Sequence, residues 1–202
     1  MPREREFDSD QALDRAMQVF WRQGYEQTSF DDLVRETGVS RYGLYAAFGD
    51  KKALFLQALQ NYAQMMARMT QSELREEDAS LPGILAYFEN LKGLARTETM
   101  RNGCLLSTTT AEIAASDPEI HERVTALYDN IREVFRAALV RAAERDEIEK
   151  PEDFDALALA LVSTMQGLAT LHRADYRMDQ ADALIDTLTT CLLKPKKTPI
   201  KS

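Results

Sequence analysis

Gly38-Val39-Ser40-Arg41-Tyr42-Gly43-Leu44-Tyr45-Ala46-Ala47-Phe48-Gly49-Asp50-Lys51-Lys52-Ala53-Leu54, preceded by Thr28-Ser29-Phe30-Asp31-Asp32-Leu33-Val34, is the stretch that decides the fold. Two short amphipathic segments flank a glycine, and an aspartate then opens a third segment. This is the layout of a helix-turn-helix, which sets one helix into the DNA major groove. Thr28 stands before the apolar Phe30 and Leu33, with Asp31 three positions on. That pattern predicts an N-cap at Thr28 and an acid in the first helical turn. Gly38 follows Leu33 and Val34, and glycine adopts the left-handed backbone that ends a helix, so a sharp turn is expected at 37–39. Ser40 reads as the next N-cap, and Leu44 and Phe48 lie four apart, so one face of that helix packs inward. Arg41, Tyr42 and Tyr45 are left for the outer face.

A duplex would meet that face. Arginine donates two hydrogen bonds to guanine or one to phosphate, and tyrosine hydroxyls reach phosphate oxygens. Taken singly, Tyr45 could equally pack on its own domain and Arg41 could be a solvated charge. Gly43 costs about 1 kcal/mol relative to alanine inside a helix, which points to a close backbone approach. Asp50 reads as the cap of another helix whose first residues, Lys51 and Lys52, join ammonium groups to a positive helix end and suggest a phosphate clamp.

Taken together, Gly24-Tyr25, Thr28-Ser29, Asp32-Leu33, Gly38-Val39-Ser40, Gly43-Leu44-Tyr45, Phe48 and Lys51 through Leu54 resemble the DNA-binding domain of the tetracycline-repressor (TetR, AcrR-like) family of transcriptional regulators. The resemblance covers roughly the first quarter of the chain, and an ordered constellation is far more specific than a lone motif. It implies that Thr28, Ser40, Arg41, Tyr42, Tyr45 and Lys51 occupy positions that usually contact DNA. One departure is Ala47, where the family commonly has an aromatic residue or histidine, so a phosphate contact is expected to be missing there.

Composition bounds the remainder. The 202 residues are 45% hydrophobic with eight glycines and six prolines, which suits long helices and an all-α fold of about nine helices. The expected organisation is a helix-turn-helix domain at 1–50, a helical ligand-binding and dimerisation domain at 51–193 linked through the fourth helix, and a basic tail at 194–202. A net charge of −8 argues against holding nucleic acid by bulk charge, yet Arg35, Arg41, Lys51 and Lys52 outnumber Glu36 and Asp50 along the reading segment. There is no uninterrupted apolar run of about eighteen residues and no signal-peptide core at the N-terminus, so a cytoplasmic protein without a membrane partner is expected. Cys104 and Cys191 form neither a metal-ligand spacing nor a disulfide framework.

Leu13, Ala16, Met17 and Phe20, with Trp21 beside them, predict a first amphipathic helix ended by Gly24. From Asp50 the spacing of Phe55, Ala58, Leu59, Tyr62, Met66 and Met69 predicts a helix unbroken to about Glu77. Asp78-Ala79-Ser80-Leu81-Pro82 starts another, carrying Ile84, Leu85, Phe88 and Leu91. After a break at Arg101-Asn102-Gly103 a helix begins near Cys104. Ser116-Asp117-Pro118-Glu119 then combines a capping serine, an early proline and an acid, and the helix extends to about Arg145. Two more helices follow, from beyond Pro151 to about Ala174 and from about Gln180 to Leu193.

The last two helices suggest pairing. Ala160, Ser163, Gly167, Thr170 and Ala174 form a small-residue stripe, while Leu157, Leu161, Thr164, Leu168 and Leu171, with Leu184, Ile185, Leu188, Cys191 and Leu192, supply more apolar surface than one layer uses. A four-helix interface in a homodimer would bury both. The family resemblance strengthens this, since a twofold dimer places two recognition helices about 34 Å apart on a palindromic operator of double-stranded DNA.

For a small-molecule effector, the candidate pocket residues are Tyr62, Met66, Phe88, Cys104, Thr108, Tyr128 and Met165, with Met65 and Met69 as further adaptable side chains. Each equally suits a helical core, and the hydroxyls of Ser107 to Thr110 suit bonds to their own backbone. The Gly103-Cys104-Leu105 segment resembles a branch of TetR-like regulators, some of which respond to reactive electrophiles or small unsaturated acids. A thiol at a helix N-terminus near Arg101 would react faster, although a cysteine before two leucines also suits a buried apolar role. His121 and His172 are the only histidines, and no nucleophile triad or phosphate loop accompanies them. Asp117, Glu119, His121 and Glu122 cluster, but acids in a first turn have a dipole explanation. The expectation is therefore a regulator, most readily a ligand-responsive repressor, without enzyme activity, metal or cofactor. The competing reading is a helical dimer that binds a ligand or protein.

Overall fold

A computed structural model describes residues 7–95, 97, 101–176 and 181–193. Nine α-helices run through them: α1 (Ser9–Gln23), α2 (Phe30–Thr37), α3 (Arg41–Phe48), α4 (Lys51–Thr70), α5 (Leu81–Ala95), α6 (Leu105–Thr109), α7 (Pro118–Glu144), α8 (Phe154–Arg173) and α9 (Ala181–Leu193). The chain forms two compact units, each discontinuous in sequence. The first takes the chain to Met66 and adds Cys104–Ala126; the second takes Ala67–Gly103 and the chain from Leu127 onward. The basic tail expected at 194–202 lies outside the described residues.

In the first unit, side-chain caps set the helix starts. Asp8 Oδ1 accepts the amides of Asp10 and Gln11 at 2.9 and 3.1 Å, and Asp50 Oδ1 accepts that of Ala53 at 2.8 Å. The cap of α2 is Ser29 rather than Thr28. Ser29 Oγ accepts the Asp32 amide at 3.1 Å while Asp32 Oδ2 accepts the Ser29 amide at 3.0 Å, a reciprocal box that satisfies two otherwise orphaned donors. Thr28 turns inward and donates its hydroxyl to the Gly24 carbonyl at 2.6 Å. Gly38 ends α2 at φ 73° and ψ 9°, with its amide bonded to the Val34 carbonyl at 3.0 Å. α1 packs on α2 and α2 on α3, and Ala16, Phe20, Trp21, Leu33, Leu44, Phe55 and Leu59 are fully buried. Trp21 meets the Tyr62 ring edge-on at 4.9 Å between centroids.

The second unit closes on Ile84, Tyr87, Phe88 and Leu91 of α5, Phe135, Ala138 and Leu139 of α7, and Ala158, Leu161, Val162 and Met165 of α8, joined by Ile185 and Leu193 of α9. Leu85, expected inside, is exposed, and Tyr87 takes the inward position. α4 stops at Thr70, short of Glu77, because the chain tightens into a 3₁₀ turn at Glu73–Arg75 that delivers Leu74 to this core. Glu147 caps α5 by accepting the Leu81 amide at 2.9 Å and the Ser80 hydroxyl at 3.1 Å. Lys92 bridges Glu89 and Asp186 at 2.7 and 2.6 Å, fastening α9 to α5.

Two further expectations change in detail. α7 is capped by Asp117, whose Oδ1 accepts the amides of Glu119 and Ile120 at 3.1 and 3.2 Å, while Ser116 donates to the Ile113 carbonyl. An Asx cap puts its acceptor nearer the first orphaned amides than a serine one residue earlier can. α8 is long and apolar enough to cross a membrane by length and composition alone; here Leu161, Val162, Met165 and Leu168 of that helix lie in the core of the second unit. Its small-residue stripe faces outward: Ser163, Gly167 and Thr170 are exposed, as are Leu159 and Leu171. The side chains of Leu184, Leu188 and Leu192 lie outside the described set.

Gly38 has open space for a Cβ, with Arg15 Nη1 the nearest atom at 3.9 Å, so its constraint is the backbone alone. Gly38→Ala is expected to lower unfolding free energy by about 1–2 kcal/mol, the cost of a left-handed alanine, as read from urea denaturation.

Candidate nucleic-acid interface

α3 presents its outer face as the sequence pattern requires. Leu44 and Phe48 are buried beneath, whereas Tyr42 is 82% and Tyr45 47% exposed. Ser40 Oγ accepts the Gly43 amide at 3.1 Å, fixing the helix start. The close approach expected at Gly43 is to the protein itself: a Cβ there would come within 2.9 Å of Val39 Cγ1 and 3.3 Å of Phe7 Cε1. Glycine thus lets the Phe7 ring lie against the first turn of α3.

The exposed side chains are ordered by neighbours on α2. Tyr45 stacks on Phe30 with ring centroids 4.4 Å apart and planes 7° from parallel. The Arg41 guanidinium carbon lies 5.0 Å from the same Phe30 centroid, and Arg41 Nη2 donates to Asp31 Oδ1 at 2.6 Å. Tyr45 thus packs on its own unit and keeps an exposed surface. Phe30 and Asp31, read only as helix-start residues, are the positions that sequence reasoning missed. Their signal was the spacing between Asp31 and Arg41, which becomes legible once the turn geometry is known.

Several cations of this unit face carboxylates. Arg35 Nη2 meets Asp32 Oδ1 at 2.6 Å and Arg22 Nη2 meets Glu36 Oε2 at 3.0 Å. Lys52 Nζ lies 2.8 Å from Glu119 and 3.0 Å from Asp117. Hydrogen bonds from Lys52 to Glu119 and then Asp117 raise the lysine pKa, while the Ile120 amide and Lys52 lower that of Asp117. The phosphate clamp expected at Lys51-Lys52 is thereby altered: the Lys52 charge is spent within the protein. Lys51 Nζ sits 4.4 Å from the Tyr25 ring centroid, and partial burial lowers its pKa. Thr28 is 1% exposed and belongs to the core rather than the outer face. Ala47 is half-buried. Glu112 Oε2 accepts the Tyr25 amide at 2.9 Å, across 87 residues of sequence.

The effector candidates fall in both units. Phe88 and Met165 belong to the second unit's core with Tyr128 packed against it. In the first unit, Tyr62 is buried against Trp21, Met66 is half-buried on α4, and Cys104 is a half-buried free thiol at the N-cap of α6. Thr108 donates to the Cys104 carbonyl at 3.1 Å, and Thr109 and Thr110 bond back to Leu105 and Leu106 in the same way. Among the described residues no group of three or more His, Cys, Asp or Glu is placed to hold a metal ion.

Comparison with known proteins adds sequence and structural relatives. Residues 12–58 match the family described as bacterial regulatory proteins, tetR family, and residues 80–188 match the tetracyclin repressor-like C-terminal domain. The HTH-type transcriptional repressor ComR of Escherichia coli is 30% identical over 164 residues, spanning 81% of this chain and 78% of its own length. An uncharacterized HTH-type regulator of Bacillus subtilis, YezE, is 27% identical over 193 residues, 95% of this chain and 100% of its own. A cysteine-substituted variant of the regulator CifR, in complex with 26-base-pair operator DNA, superposes with a TM-score of 0.82 at 24% identity, covering 93% of this chain and 97% of that one.

The capping box is sensitive to acid. Hydrogen bonds from the Ser29 hydroxyl and from Arg35 hold the Asp32 carboxyl at about 2, below its ordinary 3.8. A depressed folded pKa gives stability that is present above about pH 4 and lost as pH falls towards 2. The stability difference between wild type and Asp32→Asn is expected to be full at neutral pH and to vanish across that window, as measured by denaturant unfolding at stepped pH.

Proposed function

The chain belongs to the TetR family of bacterial regulatory proteins, and on that basis we propose that it is a repressor that binds a palindromic operator as a homodimer and releases it when a small molecule binds. The observation that carries this reading is the outer face of α3, where Ser40, Arg41, Tyr42 and Tyr45 stand exposed on a helix whose start, end and inner face are each fixed. Such a face suits the major groove, with Arg41 for a base edge or phosphate and the tyrosine hydroxyls for phosphate oxygens. Lys51, at the start of α4, adds a phosphate contact in this proposal. Thr28 supports α2 from within.

The exposed stripe of Ser163, Gly167 and Thr170 on α8, flanked by Leu159 and Leu171, supports pairing through α8 and α9. Small side chains let helix axes approach closely, and a twofold axis would space two α3 helices by about one DNA turn. Phe88, Tyr128 and Met165 are the proposed effector contacts in the second unit, where a thioether and two rings can reshape around an apolar ligand. The effector would act by binding unequally to two arrangements of α4, and its differential affinity would set the size of the population shift. Binding to chromosomal DNA places the protein in the cytoplasm in this reading, and its chemistry is recognition rather than catalysis.

Footprinting of the DNA flanking its own gene, at fixed salt with excess unrelated competitor, tests the function. Protection of a short palindrome is expected. No preference there or across a genome-wide fragment pool would favour a ligand- or protein-binding dimer instead. On the protected duplex, Arg41→Ala is expected to weaken binding by about 1–3 kcal/mol, and Tyr45→Phe by about 0.5–1.5 kcal/mol for the lost hydroxyl bond. Gly167→Glu puts a carboxylate on the proposed α8 seam and is expected to convert a dimer into a monomer in sedimentation, with α-helical content retained.

A further inference from the structure

The Asp31–Arg41 pair lies within the proposed reading face, and its geometry is that of a held donor rather than a quenched one. Among the described residues a single polar contact, Arg41 Nη2 to Asp31 Oδ1 at 2.6 Å, engages the guanidinium, while its carbon stands 5.0 Å from the Phe30 centroid. Phe30 is itself stacked against Tyr45. A guanidinium carries five N–H donors in a rigid fork, so one bond to a carboxylate leaves donors for another acceptor while restricting how the fork turns. Both partners remain open to solvent: the Arg41 side chain is 52% exposed and that of Asp31 83%.

We propose that Asp31 is the positioning and specificity-determining residue of this face: it orients Arg41 to read the edge of a guanine and cancels the charge with which Arg41 would hold any phosphate. The inference rests on the reading of α3 as the DNA-facing helix. Two physical effects separate the alternatives. Nonspecific binding comes from cationic charge neutralising phosphates, and an anion 2.6 Å from the guanidinium cancels most of that charge at the distance of a neighbouring strand. Base reading depends on donor geometry against the N7 and O6 acceptors of guanine, and the carboxylate preserves and restrains that geometry. Asp31 therefore subtracts from the affinity shared by all sequences more than from the affinity for one. Asp32 and Glu36 do not serve this role, since Asp32 closes the capping box and pairs with Arg35, and Glu36 pairs with Arg22.

The test uses the full chain on two probes: a duplex selected by wild type from a random pool, and a scrambled duplex of equal length and composition. Guanines of the selected duplex are replaced one at a time by 7-deazaguanine, which lacks the N7 acceptor. Wild type is expected to lose about tenfold at one guanine per half-site. In Asp31→Asn that penalty shrinks, scrambled-duplex affinity rises about two- to fivefold, and the salt dependence steepens by about 0.9 in log–log slope for one restored phosphate contact. In Arg41→Ala the penalty disappears, and adding Asp31→Asn to it changes neither slope nor preference. Asp31→Ser, which also suits a first helical turn, repeats the measurement should the asparagine variant fold poorly.

An Asp31→Asn protein with the full penalty and an unchanged slope, beside an Arg41→Ala protein that has lost the penalty, overturns this proposal and leaves the function standing. Effects of Asp31→Asn that persist without Arg41 reduce Asp31 to general repulsion and likewise overturn it. Full operator selectivity in Arg41→Ala overturns the assignment of Arg41 to the reading face, and this proposal with it.

Discussion

The left-handed backbone at Gly38 is the constraint on which the proposed reading surface depends. At φ 73° the chain reverses between α2 and α3 within three residues, and Val39 is buried while Ser40 emerges to cap the next helix. Everything exposed on α3 inherits its direction from that reversal. An L side chain at this position would have to relax towards negative φ and rotate α3 about the turn. The capping box of Ser29 and Asp32 then fixes the other end of α2, so that the helix carrying Asp31 and Phe30 is held at both termini beneath α3.

Electrostatics in the first unit follows a pattern that the net charge does not convey. A chain at −8 could repel DNA throughout, and a segment with four bases against two acids could attract it indiscriminately. In the structure three of those bases, Arg35, Arg41 and Lys52, are each matched with a carboxylate at hydrogen-bonding distance, as is Arg22, while Lys51 lies over the Tyr25 ring. Most of these pairs are solvent-exposed and contribute little to folding. Their larger consequence is to shorten the range of the field, leaving hydroxyl and guanidinium donors to act at contact.

How far the sequence revealed this depends on the reach of each interaction. The helix-turn-helix, the turn at Gly38, the caps at Ser40 and Asp50 and the inward Leu44 and Phe48 were legible because each is decided within four residues. Thr28 and Ser116 were misplaced as caps because a neighbour, Ser29 or Asp117, competed for the same amides, and only the backbone angle decides between adjacent candidates. The early end of α4 was hidden, since the apolar spacing continued and the burial of Leu74 is set by a core assembled from α5, α7 and α8. Lys52 read as a phosphate ligand because its carboxylates lie 65 and 67 positions away, beyond any periodicity. Tyr62 illustrates the same limit, for its packing against Trp21 depends on α1 and α4 meeting.

The carboxylate of Glu112 on the Tyr25 amide has a bearing on how the protein is made. Together with the contacts of Lys52 to Asp117 and Glu119, it means that the first unit is finished by a segment, Cys104–Ala126, synthesised long after the residues it joins. A ribosome adding about 5–20 residues per second exposes the helix-turn-helix for several seconds before that segment emerges. During this interval Glu112, Asp117 and Glu119 are not yet present, so the nascent unit lacks the carboxylates that hold the Tyr25 amide and Lys52 and is less negative than the finished one. The closing segment is thus a late-arriving counterweight, and the order of translation separates formation of α3 from the arrival of the carboxylates that balance the start of α4.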